Sequence, residues 1–487
     1  MNRFFKSPLL FFPLFWVLTP AVSAQMPAAE GAVRSLIDES PAASALWSVV
    51  VSDEDGRILI DIDGDRIIRP ASMFKLISSA AALNILGPDF RYRTRLYGTG
   101  ELDGDVWRGD LLIRGVGDPA ISGEFTDGNA LFLFETWADL LLDMGVRSID
   151  GNILGNDSYF DDLPYPRGWE WDDLSYYYAA EISALSFNNN VVDLEVVADG
   201  EVGDLPEISW FPFQTSYVRF VNEQVITPPF TDFDESYHRI PGSNTIFLRS
   251  RLPQGYLETE PLSVPEPAIY FVDTFRRHLE MEGVDVLGEP ARDRTERNWS
   301  NSRYQLLHEH ISVPLREMIR WKIRESDNFY AEMILKTVAA EDLAVPGSTE
   351  LGLDVLRNFM AEAGFDTTQV TLRDASGMAP ATLLNMSDLN RFFHRVREYD
   401  WVDVFDESLA IAGREGTLSH RFHQSPIFDR FRGKTGFTSG VRTIGGYLET
   451  SSGRQLIVTI ATNNFTSKVA VIDRIHQQIL ENLFESY

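Results

Sequence analysis

Ser72 and Lys75 stand three positions apart in the run Pro70-Ala71-Ser72-Met73-Phe74-Lys75-Leu76-Ile77. On a helix that spacing sets both side chains on one face, within reach of each other. A serine hydroxyl is a poor nucleophile near neutral pH and needs a proton acceptor beside it. A lysine can serve when burial and neighbouring cations keep it neutral, because desolvation penalises the ammonium form. The first turn of a helix adds unpaired backbone N–H groups and the positive end of the dipole. Alone the pair is weak evidence. With 37 Ser and six Lys in the chain, chance supplies roughly 0.5 such pairs.

Two further triplets carry chemistry. Ser326-Asp327-Asn328 lies between two predicted helices. Its hydroxyl can relay a proton to a leaving amine, and its carboxamide offers a donor and an acceptor to a peptide group. Standing alone, the triplet reads first as a helix cap. Lys434-Thr435-Gly436 follows a basic stretch on a predicted strand. Lys and Thr there can hold a carboxylate, and Gly lets a ligand lie against the strand edge. With so few lysines the chance expectation for that triplet is roughly 0.02 per chain, which makes it the most informative of the three.

These segments need elements to position them. Residues 45–62 alternate as a hairpin around the turn Asp53 to Gly56, and the apolar run from Ser72 to Leu86, stopped by Gly87-Pro88, reads as a buried helix. From about Phe90 to Val286 short alternating runs predict a β-rich module, with helix near Leu131 to Met144 and Tyr270 to Met281. Helical periodicity returns at Val313 to Ile323 and Phe329 to Ala340. Strands over Thr443 to Glu449 and Gln455 to Ala461 precede a closing amphipathic helix, Val469 to Phe484. Hairpins near both ends predict one shared antiparallel sheet flanked by helices, hence an α+β class with the middle module inserted. The expected organisation is a leader over 1–24, a discontinuous catalytic domain over 25–90 and 303–487, and a β-rich insertion over 91–302.

Composition narrows the partners. The 487 residues carry 43 Lys plus Arg against 72 Asp plus Glu, a formal charge of −29. Phosphate backbones require clustered cations, so nucleic acid is an unsuitable partner. There is no Cys, which removes disulfides, thiolate nucleophiles and cysteine metal sites. Arg3 and Lys6 ahead of the apolar run Leu9 to Val22, with Val22-Ser23-Ala24 after it, read as a cleaved export signal too short for a stable membrane span. His308 and His310 lack a third ligand at usable spacing and read as ordinary surface histidines. No metal or cofactor is expected.

Ser-x-x-Lys, Ser-x-Asn and Lys-Thr-Gly in this order form the signature of penicillin-recognising acyl-serine enzymes. The first two motifs lie roughly 250 positions apart, which leaves room for a large insertion. The chain resembles the class C low-molecular-mass penicillin-binding proteins, a D-alanyl-D-alanine carboxypeptidase/endopeptidase family. The likeness extends to Leu86-Gly87-Pro88-Asp89-Phe90, Gly115-Val116-Gly117-Asp118-Pro119, Gly168-Trp169-Glu170-Trp171-Asp172-Asp173, Asp374-Ala375-Ser376-Gly377 and Gly413-Arg414-Glu415-Gly416-Thr417-Leu418.

The resemblance implies a β-lactamase/transpeptidase-like catalytic domain, export to the bacterial periplasm and action on peptidoglycan peptides ending in D-Ala-D-Ala, with β-lactams as covalent inhibitors. It implies that Ser72 is acylated, that Lys75 is its base, and that Ser326 and Asn328 act as described above. Lys434 and Thr435, with Gly436, would bind the terminal carboxylate, and the backbone N–H groups of Ser72 and Phe437 would form the oxyanion hole. Asp173 would reach toward the amino group of a diaminopimelyl side chain; its alternative is a surface carboxylate of an acidic protein. Two positions depart from the family pattern. Position 437 is Phe where Ser or Thr is common, and Met378-Ala379-Pro380 stands where an Arg often follows Ser376-Gly377. The rival functions are β-lactam hydrolysis as the main role and a non-catalytic binder of wall peptides.

Overall fold

The computed structural model describes residues 22–213 and 217–487, with no side-chain detail for 22–27. The expected leader lies outside the described residues except for its last three. Elements run in the order α1 (Val22–Asp38), β1 (Leu46–Asp53), β2 (Ile58–Ile62), a 3-10 turn over Ala71–Met73, and α2 (Phe74–Leu86). The inserted region contributes β3 (Arg93–Gly98), β4 (Leu111–Arg114), α3 (Phe132–Asp143), β5 (Ile153–Asn156), β6 (Val191–Val197), α4 (Pro267–Met281), β7 (Pro290–Arg292) and β8 (Gln305–Ile311), among shorter strands. The chain then returns through α5 (Leu315–Arg324), α6 (Asn328–Leu343), α7 (Thr349–Glu362), α8 (Met386–Arg395), β9 (Ala410–Ile411), β10 (Phe431–Thr438), β11 (Val441–Glu449), β12 (Gln455–Asn463) and α9 (Val469–Ser486).

Both chain ends build one sheet, in the antiparallel order β2-β1-β12-β11-β10-β9. Its strands are buried on both faces, and the period of two splits their side chains between two cores. In β1, Val50 enters the helical core with Leu76, Met318, Tyr330 and Leu389, while Val49 and Val51 join Val33, Ile444, Ile460 and Ile479 beneath α1 and α9. Each such aliphatic side chain contributes about 1.5–3 kcal/mol by leaving water. The insertion has its own core around Trp107, Phe134, Trp137, Leu194, Phe271 and Phe275. This is the α+β arrangement expected from the sequence, with helices at residues 132–143 and 267–281 inside the β-rich module.

Two expectations need adjustment. Strand β8 pairs antiparallel with β3 and so completes the insertion's five-stranded sheet, β7-β5-β4-β3-β8, although it falls in the segment assigned to the catalytic domain. On that pairing the boundary is better proposed near Ser312 than at residue 303. His308 and His310 sit on this strand and are not ordinary surface groups. Trp137 Nε1 donates to His308 Nδ1 at 3.1 Å, and His310 packs on Phe132 with Nε2 3.6 Å from the buried Asp118 carboxylate. Burial, then His308, pushes His310 down to about 4. Among the described residues, no helix is long and apolar enough to cross a membrane, and no group of three or more His, Asp or Glu converges as a metal site.

Candidate active site

The nucleophile candidate is presented by strained backbone. Ala71 has φ +48°, a left-handed conformation that costs a non-glycine residue about 1 kcal/mol or more and persists only when its surroundings enforce it. Here they do. Thr443 Oγ1 on β11 donates to Pro70 O at 2.9 Å. A Cβ at Gly377 would lie 2.1 Å from Ala71 O, and one at Gly436 would lie 2.8 Å from Pro70 O. Two glycines therefore allow a strand and a loop to press on the turn that carries Ser72. At Gly436 the close approach of protein is a second reason for glycine, beside the expected room for a ligand at the strand edge.

Lys75, in the first turn of α2, is completely buried. Its Nζ lies 2.8 Å from Ser72 Oγ, 2.5 Å from Asn328 Oδ1 and 3.0 Å from Ser376 O. Three acceptors match the three protons of an ammonium. Desolvation nevertheless lowers its pKa to about 8, against the opposing pull of Asp374, Asp327 and Glu332.

The Ser-Asp-Asn triplet is both a cap and a bridge. Asp327 takes the capping role: its side chain accepts from Tyr330 N at 3.0 Å at the start of α6. That frees the residues on either side. Asn328 reaches Lys75, while Ser326, held at φ +65°, accepts from Lys434 Nζ at 2.8 Å. Lys434 is also completely buried and donates to Thr435 O at 2.8 Å. Burial lowers its pKa well below the ordinary lysine value, and Lys75 and Arg442 add to the shift. Thr435 Oγ1 donates to Thr417 Oγ1 at 2.8 Å. Neutral Lys75 can accept the Ser72 proton, and the Lys434-Ser326 pair can pass one onward.

Phe437 ends the same strand with its side chain exposed, the Arg442 guanidinium 6.0 Å from its ring. Asp173 lies in the insertion and accepts from Tyr178 Oη at 3.2 Å, while Asn328 Nδ2 donates to Tyr178 O at 2.8 Å. The carboxylate is thus two bonded steps from Asn328. Burial raises its pKa, partly countered by Tyr178.

Several participants carry no motif. Ser376 O acts through the backbone. Glu332 on α6 holds that loop by accepting from Ala375 N and Ser376 N, both at 2.9 Å. Asp374 accepts from Ser376 Oγ, Thr382 Oγ1 and, across from the insertion, Trp169 Nε1. Asp374 to Gly377 stood out only as a family likeness.

The chain is similar to known proteins along most of its length. The chain is 28% identical over 473 residues to a D-alanyl-D-alanine carboxypeptidase of Actinomadura sp. (strain R39), covering 93% of this chain and 82% of that protein. It is 24% identical to the D-alanyl-D-alanine carboxypeptidase DacB of Haemophilus influenzae, over 89% of this chain and 88% of that one. The crystal structure of penicillin binding protein 4 (dacB) from Haemophilus influenzae superposes with a TM-score of 0.80 at 22% identity, covering 93% of this chain and 99% of the other. Residues 29–482 match the D-Ala-D-Ala carboxypeptidase 3 (S13) family, a span that takes in both halves of the central sheet and the whole insertion, and the chain belongs to that family of serine peptidases.

Proposed function

We propose that this D-Ala-D-Ala carboxypeptidase works through an acyl-enzyme on Ser72. Neutral Lys75 takes the Ser72 proton as Oγ attacks the carbonyl of the penultimate D-alanine. The C–N bond breaks, Ser326 delivers its proton to the departing D-alanine amine and takes one from Lys434, and water later hydrolyses the ester, which returns the proton to Ser72 Oγ and releases the shortened peptide. Lys434, with Thr435 and Gly436 beside it, receives the terminal carboxylate, and the backbone N–H groups of Ser72 and Phe437 face the developing oxyanion. The same steps on a cross-linking peptide constitute D-alanyl endopeptidase action. Asp173, linked through Tyr178 to Asn328, is proposed to receive the amino group of a diaminopimelyl side chain. Such a substrate implies an exported, periplasmic protein.

The observation that carries this reading is the contact of 2.8 Å between Lys75 Nζ and Ser72 Oγ at a completely buried lysine. Intact-mass measurement after penicillin treatment tests it. One covalent adduct is expected on wild type and none on Ser72→Ala; an unmodified wild type overturns the acyl-serine assignment. Rapid penicillin turnover with no release of D-alanine from peptide substrates would favour β-lactam hydrolysis instead.

A further inference from the structure

Only six of the 43 cationic residues are lysine. Five lie among the described residues, and four of these, Lys75, Lys322, Lys336 and Lys434, are completely buried. Lys75 and Lys434 have roles above. Lys336 ties α6 to the insertion, donating to Asp161 at 2.7 Å and to Leu163 O at 2.6 Å. Lys322 has no such account. It lies on α5, and its Nζ donates to Ser78 Oγ at 3.0 Å. Ser78 is one turn beyond Lys75 on α2, and its hydroxyl donates to Ala375 O at 2.9 Å and to Lys75 O at 3.3 Å, so Lys322 meets α2 one turn from Lys75.

The two lysines are satisfied unequally. Lys75 meets three acceptors and Lys322 one. The protein offers an ammonium three acceptors at Lys75 and one at Lys322, so its own groups favour the charge on resting Lys75 and the neutral amine on Lys322. From α2 the facing groups are Lys75 and Ser78. From α6 and its cap they are Glu332 and Asp327, and from the adjoining loop Asp374, which acts on Lys75. Glu332 is itself pushed up to about 8 by burial and by Asp374. The other cations of α5, Arg320 and Arg324, are paired with Glu407 and Glu415. Burial, then Lys75, brings Lys322 down to about 7.

We propose that Lys322 is a positioning residue for acylation: it and Lys75 share protons as a coupled pair, and in the form whose proton sits on Lys322 rather than on Lys75, Lys75 is neutral and able to deprotonate Ser72. This rests on Lys75 being the base. Coupled groups titrate as a pair, and the singly protonated pair contains a form with neutral Lys75 that a lone lysine lacks. Lys322 therefore extends acylation to lower pH.

The test is the rate of penicillin acylation of the full chain against pH, for wild type, Lys322→Met and Lys322→Arg. Lys322→Met is expected to acylate several-fold more slowly near about pH 6 and to converge with wild type above about pH 9, its acid limb moved up by about half to one unit. Lys322→Arg, with a permanent cation, is expected to move the limb down. A role in folding alone would lower the rate at every pH without moving the limb, and that result overturns the proposal. Should the arginine variant not fold, lysine labelled at Cε and followed by NMR gives the Lys75 titration directly. Its transition is expected at higher pH in Lys322→Met than in wild type; coincident transitions also overturn the proposal. Melting of Lys322→Met is expected at or above the wild-type temperature, since an apolar side chain of similar length replaces a buried amine. Failure of the underlying reading looks different: wild type then forms no adduct at any pH.

Discussion

The acyl-transfer site and the ionic network of the insertion both bury charge, and they do so with opposite chemistry. In the insertion, Asp157 is nearly inaccessible and receives Arg292 Nη2 at 2.7 Å and Arg294 Nη1 at 3.1 Å; Arg292 also reaches Asp162 at 2.6 Å. Guanidinium groups keep their protons and fit carboxylates in fixed forks, so that network holds position without exchanging protons. At the site, Lys75, Lys322 and Lys434 contact hydroxyls, a carboxamide and backbone carbonyls, and no carboxylate bonds them directly. Their charge is poorly compensated and so can be lost. In these two regions arginine stands where charge is held and lysine where a proton can move; Lys336, paired with Asp161 at 2.7 Å, is a lysine that holds position.

The largest effect that sharpens this contrast comes from Lys75→Met. Removing the general base is expected to slow penicillin acylation by about 10²–10⁴-fold, measured by stopped-flow or quenched mass spectrometry, with the fold intact by circular dichroism. In wild type the sign follows from burial. Lys75 has its pKa lowered to about 8 from the ordinary 10.5, so the neutral fraction grows as pH rises through 8 and the acylation rate should climb to a plateau above it. The same shift means that, between about 8 and 10.5, the unfolded state binds more protons than the folded one, and this group's contribution to stability rises with pH across that window. A flat rate profile from about pH 6 to 9 would break the comparison.

Next is Gly436→Ala. Its Cβ would approach Thr443 Oγ1 to 2.3 Å, Pro70 O to 2.8 Å and Ala71 Cβ to 3.0 Å, so Thr443 and the turn bearing Ser72 that it holds must yield. Overpacking of this kind costs about 1–3 kcal/mol, and a displacement of about 1 Å at the nucleophile costs on the order of 100-fold in rate. Melting and acylation should both fall, the second far more. An alanine variant that acylates at the wild-type rate would show that the two glycines are not what holds the turn.

How much of this was legible in the sequence depends on whether side chains or backbone do the work. Ser72, Lys75, Ser326, Asn328 and Lys434 meet as their spacing and order implied, because motifs record side chains. The terminal hairpins and the closing helix were readable from period alone. Ser376 O was not, since a carbonyl has no residue type. The left-handed Ala71 was hidden for a similar reason: the turn is imposed by Thr443, Gly377 and Gly436 from distant segments. Asp327, the one residue of its triplet with no assigned role, proved to be the cap. Strand β8 falls on the catalytic side of the expected boundary although it pairs with β3, because that pairing is long-range and local alternation does not state a partner.

The smallest effects test the other half of the comparison. Arg292→Ala removes two bonds to Asp157, Nε at 3.0 Å and Nη2 at 2.7 Å, but leaves Arg294 in place. A buried carboxylate that keeps one cation loses part of its compensation, and about 1–2 kcal/mol of stability is expected to go with it. Arg249→Ala breaks an ion pair with Glu223 whose two side chains are each about half exposed, where solvent screening leaves roughly 0–0.5 kcal/mol. Neither variant should move the acid limb of acylation, because neither fixed charge exchanges protons with the site. A shifted limb in Arg292→Ala would mean that the insertion's charges reach the catalytic lysines, and the division between held and exchangeable charge would fail where the two regions meet, at Lys336 and Asp161.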